Sequence, residues 1–124
     1  MRLLLDTHAL LWWLAGEGLE AGAAEAVADP ENLVAVSAVS AWEICIKKAL
    51  GKLAAPDDLE RQIDEGGFTE LPVSIAHGIA AAALPRHHDD PFDRMLIAQS
   101  RIEGLTVVTR DKRFEEYGVP LMPA

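Results

Sequence analysis

The sequence has a single cysteine, few aromatic side chains and few basic residues. Cys45 has no second cysteine with which to form an internal disulfide, which fits a protein of the reducing cytoplasm. The first apolar run, residues 3–5, stops at Asp6, and no other stretch approaches the ~20 apolar residues that a membrane span needs. With 20 acidic residues against 11 basic ones, the net charge of −9 argues against binding nucleic acid through bulk positive charge.

Apolar residues make up 50% of the 124 positions and charged residues 25%, without low-complexity tracts. This composition excludes a disordered chain. A chain of this length buries roughly two-thirds of its unfolded surface, so it needs neither disulfides nor a structural metal to fold. We therefore expect a single domain that spans residues 1–124.

Short apolar strands alternate with helices along the chain. The predicted strands cover residues 2–5, 33–36 and 105–109, with an extended piece at 68–73 and an edge strand at 119–122. The predicted helices cover residues 7–14, 20–28, 38–52, 56–65, 75–84 and 91–103, with a helical turn at 111–117. This alternation predicts an α/β fold, a three-layer α/β/α sandwich around a mainly parallel sheet. Such sheets bind ligands at the carboxyl ends of their strands.

Acidic residues stand at four of the junctions between predicted strands and helices. Asp6 ends the first strand, Glu43 lies one turn into the helix after the second, Asp93 opens the helix at 91–103, and Asp111 follows the strand at 105–109. Four carboxylates at one sheet edge repel one another, and a bound divalent cation is the usual remedy. Oxygen ligands favour Mg²⁺ or Mn²⁺ over Zn²⁺, which suits phosphodiester hydrolysis by a metal-activated water.

The same acids also have a structural interpretation as helix caps. Asp6 and Asp111 can each cap the helix that follows, and Ser40 with Glu43 fits a capping box. Asp90 can cap the helix at 91–103, which begins with a proline. Capping and clustering place the acids at the same junctions, so both interpretations stay open.

Four segments carry a resemblance to a known family. They are MRLLLDTHALLWWL at 1–14, SAVSAWE at 37–43, DPFDRMLIA at 90–98 and VTRD at 108–111. In this order and spacing they resemble the PIN-domain ribonucleases, and most closely the VapC-type toxins of bacterial toxin–antitoxin pairs. The resemblance covers essentially the whole chain.

The resemblance implies a Mg²⁺-dependent endoribonuclease toxin with RNA as substrate and a neutralising antitoxin protein as partner. Asp6, Glu43 and Asp93 match the three core acids of the family, and Asp111 matches a fourth, more variable one. Further residues expected beside the metal or the substrate are Thr7, Asp90, Thr109 and Arg110. Two alternatives within this fold are a nuclease of RNA maturation, which the small size disfavours, and a non-catalytic binding module, which the intact acids disfavour.

Trp12 and Trp13 are adjacent on the first predicted helix, so their side chains diverge by about 100°. Either one of them lies at an interface, with a second copy of the chain or with an antitoxin helix, or the next helix covers both. The first alternative leads us to expect a homodimer.

Four other side chains receive structural predictions. Trp42 belongs to an apolar stripe with Ile46, so we expect it in the core, and we expect Cys45 beside the stripe to be a buried thiol. His87 and His88 lie in a polar loop without a third metal ligand at suitable spacing. We expect a solvated loop there; the alternative is contact with substrate or acid–base help near the site.

Most basic residues follow Glu43 or flank the later acids. We expect them near the proposed site, where they and a bound cation offset the carboxylates. These residues are Lys47, Lys48, Lys52, Arg86, Arg94, Arg101, Arg110, Lys112 and Arg113. The overall acidity points to a basic partner, with an Arg or Lys of the antitoxin reaching the acidic pocket.

Overall fold

Five parallel strands form one sheet in the computed structural model, which describes residues 1–124. The strands are β1 (Arg2–Leu5), β2 (Leu33–Ser37), β3 (Thr69–Leu71), β4 (Thr106–Thr109) and β5 (Leu121–Pro123). Their order is β3-β2-β1-β4-β5, and every neighbouring pair is parallel. The α/β prediction is confirmed, and the extended piece at 68–73 contains the edge strand β3.

Six α-helices and one 3-10 helix connect the strands. They are α1 (Thr7–Ala15), α2 (Ala21–Ala28), α3 (Ala38–Ala49), α4 (Leu59–Glu65), α5 (Ile75–Ala83), α6 (Pro91–Glu103) and the 3-10 helix Lys112–Tyr117. None of them combines the length and the apolar character that crossing a bilayer requires.

Helices cover both faces of the sheet. Successive residues of each strand point to opposite faces, so both faces carry apolar side chains. Leu3 and Leu5 of β1 pack in a cluster with residues of α1 and α2, whereas Leu4 packs in a second cluster with Leu96 and Ile97 of α6. The three layers that the sequence predicts are therefore confirmed.

The order of the strands reverses between β1 and β4. From β1 the chain adds β2 and β3 on one side, and it then returns to place β4 and β5 on the other. Parallel sheets leave a crevice at such a switch point, at the carboxyl ends of the two strands. Asp6 directly follows β1 and Thr109 ends β4, so these two residues border the crevice.

The helix caps agree with the sequence except at α3. Asp6, Asp90 and Asp111 each accept a hydrogen bond from a backbone amide of the helix that follows. The capping box of Ser40 with Glu43 is wrong: Ser37 caps α3 by accepting from the Val39 amide. Glu43 thus lies inside the helix, where capping does not account for it.

The predicted environments of Trp42 and Cys45 are wrong. Trp42 is 63% exposed, and Cys45 is exposed too. The buried residues of α3 are Val39, Ser40, Glu43 and Ile44. Because Glu43 points inward, the stripe that contains Trp42 lies on the side of the helix and not in the core.

Candidate active site

Asp6 lies at the carboxyl end of β1, at the switch point of the sheet. It is buried, its Oδ1 accepts from the Ala9 amide at 2.7 Å, and its Oδ2 accepts from the Thr109 hydroxyl. Burial raises the pKa of Asp6 above its ordinary value, although both hydrogen bonds act in the opposite direction. An ionised carboxylate at this position is therefore short of compensating positive charge.

Glu43 enters the same crevice from α3, which follows β2. Its Oε1 accepts from the Thr7 hydroxyl at 2.6 Å, and its Oε2 pairs with the ammonium group of Lys47, one turn along the helix. The hydrogen bond to Glu43 raises the pKa of Lys47. Thr7 and Lys47 together fix the orientation of a carboxylate that is only 3% exposed.

Asp93 lies in the first turn of α6, and four neighbouring acids act on its ionisation. Its pKa is raised to about 8, first by burial and then by the charges of Asp90, Glu43, Asp6 and Asp111. These four acids act together on one carboxyl group, so the structure brings all the sequence-predicted acids into one cluster. Asp90 also keeps its structural role, since its Oδ1 accepts from the Asp93 amide at 3.1 Å.

Asp111 lies on the outer side of the cluster. The Arg113 guanidinium forms a bidentate interaction with its carboxylate: Nη2 donates to Oδ2 at 2.8 Å and Nε donates to Oδ1 at 3.1 Å. This contact lowers the pKa of Asp111. Its amide also donates to the Thr109 hydroxyl at 3.0 Å, which links Asp111 through Thr109 to Asp6.

His88 lies at the site, whereas the sequence favoured a solvated loop and left a role near the site as the alternative. It is 3% exposed, and its Nε2 lies 2.8 Å from Asp93 Oδ2 and 3.5 Å from Asp111 Oδ2. The Asp90 amide donates to its Nδ1 at 3.3 Å, so the ring proton lies on Nε2 and is donated to Asp93. The predicted solvated loop is wrong for His88, while His87 is exposed as expected.

The loop turns His88 inward because a distant residue holds it. The His88 amide donates to the Tyr117 hydroxyl at 2.9 Å, and that hydroxyl donates to the Pro85 carbonyl at 2.7 Å. The only sequence signal for His88 was its place two residues before the cap of α6.

Most of the basic residues are not at the site. Of the nine expected there, Lys47 and Arg113 contact the acids. Arg110 instead donates to the Ala124 and Gly18 carbonyls and lies 3.9 Å over the Trp12 ring. Arg94 donates to the last carbonyls of α5 and to the loop that follows. Two of the arginines that the sequence analysis placed near the cluster, Arg94 and Arg110, therefore bind backbone carbonyls instead.

The cluster fits a divalent cation. Carboxylate oxygens of Asp93 and Asp111 lie within 4.8 Å of each other, and His88, which donates its ring proton to Asp93, stands behind them. Burial and the neighbouring carboxylates raise the pKa of Asp93. Carboxylates thus supply the donors, which suits a hard cation. A cation would offset the repulsion that the two nearby bases leave uncompensated.

Comparisons with known proteins show the family of this chain. The PIN domain family model matches residues 3–120. Ribonuclease VapC22 of Mycobacterium tuberculosis is 31% identical over 126 residues, which cover 94% of this chain and 92% of that protein.

Solved structures share the fold at lower identity. One is the VapBC2 complex of Rickettsia felis bound to a promoter DNA fragment, with 15% identity, a TM-score of 0.72 and 98% of each chain covered. Another is a toxin–antitoxin complex of Klebsiella pneumoniae, with 20% identity, a TM-score of 0.67 and coverage of 98% and 96%. The match over residues 3–120, the similarity to VapC22 and the acid cluster at the switch point identify the chain as a member of the PIN domain family.

Proposed function

We propose that this protein is a Mg²⁺-dependent endoribonuclease that acts as the toxin of a toxin–antitoxin pair. The observation that carries the proposal is the convergence of Asp6, Glu43, Asp93 and Asp111. Burial and then the charges of the neighbouring acids raise the pKa of Asp93. The similarity to a protein named as a ribonuclease supports the same chemistry.

Four acids would hold the cation, namely Asp6, Glu43, Asp93 and Asp111. When bound, Mg²⁺ or Mn²⁺ would polarise the scissile phosphate and lower the pKa of an attacking water. No side chain has to act as nucleophile in this chemistry.

The protein's own contribution is to orient these carboxylates in advance. Each acid is fixed by a neighbour that donates a hydrogen bond, and such partners keep ligands in place with little reorganisation. The pairs are Thr109 with Asp6, Thr7 with Glu43, His88 with Asp93, and Arg113 with Asp111. Arg110 has no part in this arrangement.

The partner proteins belong to the same proposal. The solved neighbours include toxin–antitoxin complexes, which supports an antitoxin as the partner of this chain. Trp12 and Trp13 are both half-buried and border a groove with Ala24 of α2, which supplies apolar surface for an antitoxin helix or for a homodimer. A cytoplasmic location and a single domain over residues 1–124 complete the proposal.

A direct test is cleavage of a mixed pool of RNA by the purified protein with Mg²⁺ or with a chelator. We expect cleavage only with the cation, and Asp93→Asn should abolish it because the amide removes a charged ligand. Asp89→Asn is the matched control, since Asp89 lies in the loop just before α6 with its side chain 88% exposed. Wild-type cleavage by Asp93→Asn, or cleavage in the chelator, would contradict the proposal, and folded protein without any cleavage would favour a binding module.

A further inference from the structure

Two aromatic side chains pack against each other on the helices that carry Glu43 and Asp93. The Trp42 indole is 63% exposed, and it contacts the half-buried ring of Phe92 edge to face, with centroids 5.5 Å apart and planes at 76°. Contact with Phe92 therefore holds the indole in place while leaving most of its surface in water.

Each ring of the pair is adjacent in the sequence to an acid of the cluster. Trp42 immediately precedes Glu43 on α3, and Phe92 immediately precedes Asp93 on α6. The Phe92 amide also donates to Asp90 Oδ1 at 2.8 Å. The aromatic pair thus connects the two helices that bring Glu43 and Asp93 to the site.

None of the other exposed large apolar side chains directly precedes an acid of the cluster. They are Met1, Leu50 at the carboxyl end of α3, Val73, Ile75 and Ile79 of α5, and Ile102 in the last turn of α6. Trp42 differs from them because it precedes Glu43.

We propose that Trp42, supported by Phe92, is a base-binding subsite. Its indole stacks on an unpaired nucleobase of the RNA, next to the phosphate that lies at the cation of the acid cluster. This inference rests on the proposed function and names the part of the substrate that the site recognises. Aromatic side chains bind single strands by stacking, and every base offers a face for it. Stacking also needs no positive charge, which matters in a chain of net charge −9 whose acids retain only Lys47 and Arg113 as contacting bases.

The test measures binding of a labelled oligoadenylate of about eight nucleotides, a length in the range of single-strand sites. Its comparison ligand has the same ribose-phosphate chain without bases. Fluorescence anisotropy is recorded in Ca²⁺ instead of Mg²⁺, with electrophoresis to show that the oligomer stays intact. The proteins are wild type, Trp42→Ala, Trp42→Phe and Ile79→Ala, the last as a control for an exposed apolar side chain on α5.

We expect Trp42→Ala to bind oligoadenylate about 5- to 100-fold more weakly than wild type, the range for loss of one stacked base. Trp42→Phe and Ile79→Ala should stay within about 5-fold, because phenylalanine retains a ring and Ile79 lies elsewhere. On the abasic chain, Trp42→Ala and wild type should bind equally. Circular dichroism checks that Trp42→Ala keeps the wild-type fold.

Three results would contradict the proposal that Trp42 is a base-binding subsite. These are unchanged binding of oligoadenylate by Trp42→Ala, an equal loss on both oligomers, or a loss in Trp42→Phe as large as in Trp42→Ala. Cleavage assays separate this from the proposed function. RNA cleavage with an unchanged kcat/KM in Trp42→Ala would reject the subsite alone, whereas base-dependent binding without any cleavage would reject the nuclease and keep the subsite.

Discussion

His88 Nε2 lies 2.8 Å from Asp93 Oδ2, and the imidazole is buried while the neighbouring His87 is exposed. The ring is fixed from two sides, by the Asp90 amide at Nδ1 and by the Tyr117 hydroxyl at the His88 amide. Such a donor behind a carboxylate orients the oxygen that is left for a cation. We therefore expect His88 to act as a positioning residue for Asp93.

The first prediction concerns this contact. His88→Ala should raise the Mg²⁺ concentration for half-maximal cleavage by about 10- to 100-fold, the usual effect of removing a partner behind a metal ligand. His88→Gln retains an N–H donor and should recover part of the loss, whereas His87→Ala should behave as wild type. The measurement is initial cleavage rate against Mg²⁺ concentration, and an unchanged Mg²⁺ dependence in His88→Ala would rule out the positioning role.

The second prediction is that the metal-free protein is less stable at alkaline pH. Burial and neighbouring charges raise the pKa of Asp93 from its ordinary value of 3.8 to about 8, and burial also raises that of Asp6. The folded chain therefore favours the protonated carboxyls, so stability falls as pH rises from about 4 towards about 8. Mg²⁺ should oppose this loss, because it binds the ionised acids of the folded state.

Thermal unfolding in chelator and in Mg²⁺, at about pH 5 and about pH 8.5, measures this dependence. Asp93→Asn should flatten the pH profile in chelator, since the amide does not ionise. A metal-free Tm that rises over this interval would contradict the electrostatic account of the cluster.

The third prediction separates a structural arginine from the site beside it. Arg94 follows Asp93 directly, yet its guanidinium donates to the carbonyls of Ala81 at 2.9 Å, Leu84 at 2.8 Å and Pro85 at 2.9 Å. Arg94→Ala should lower the free energy of unfolding by about 2–4 kcal/mol, because these carbonyls, two of them part-buried, lose a charged donor.

Chemical denaturation measures this change, with Arg86→Ala as the control because the Arg86 side chain is 87% exposed. The Mg²⁺ concentration for half-maximal cleavage should stay close to wild type in Arg94→Ala under conditions where the protein is folded. Wild-type stability combined with lost cleavage would instead place Arg94 in the reaction.

The sequence by itself determined the α/β class, the caps at Asp6, Asp90 and Asp111, and the convergence of the acids that follow strands. Local signals suffice for these, because short apolar strands between helices favour a parallel sheet. The carboxyl ends of parallel strands then meet at one edge. Asp6, Glu43 and Asp111 each follow a strand and had to become neighbours, whereas Asp93 lies on a helix that follows another helix, and only the structure placed it among them.

Only the tertiary structure decided which side chains surround those acids. His88 faces Asp93 because Tyr117, 29 residues further along the chain, holds the loop. Arg110 donates to the carbonyls of Gly18 and Ala124 and not to the acids. Trp42 is exposed on the side of α3 because Glu43 occupies the buried position. Each outcome depends on contacts between distant segments or on the rotation of a packed helix, and neither is encoded in the local periodicity of the sequence.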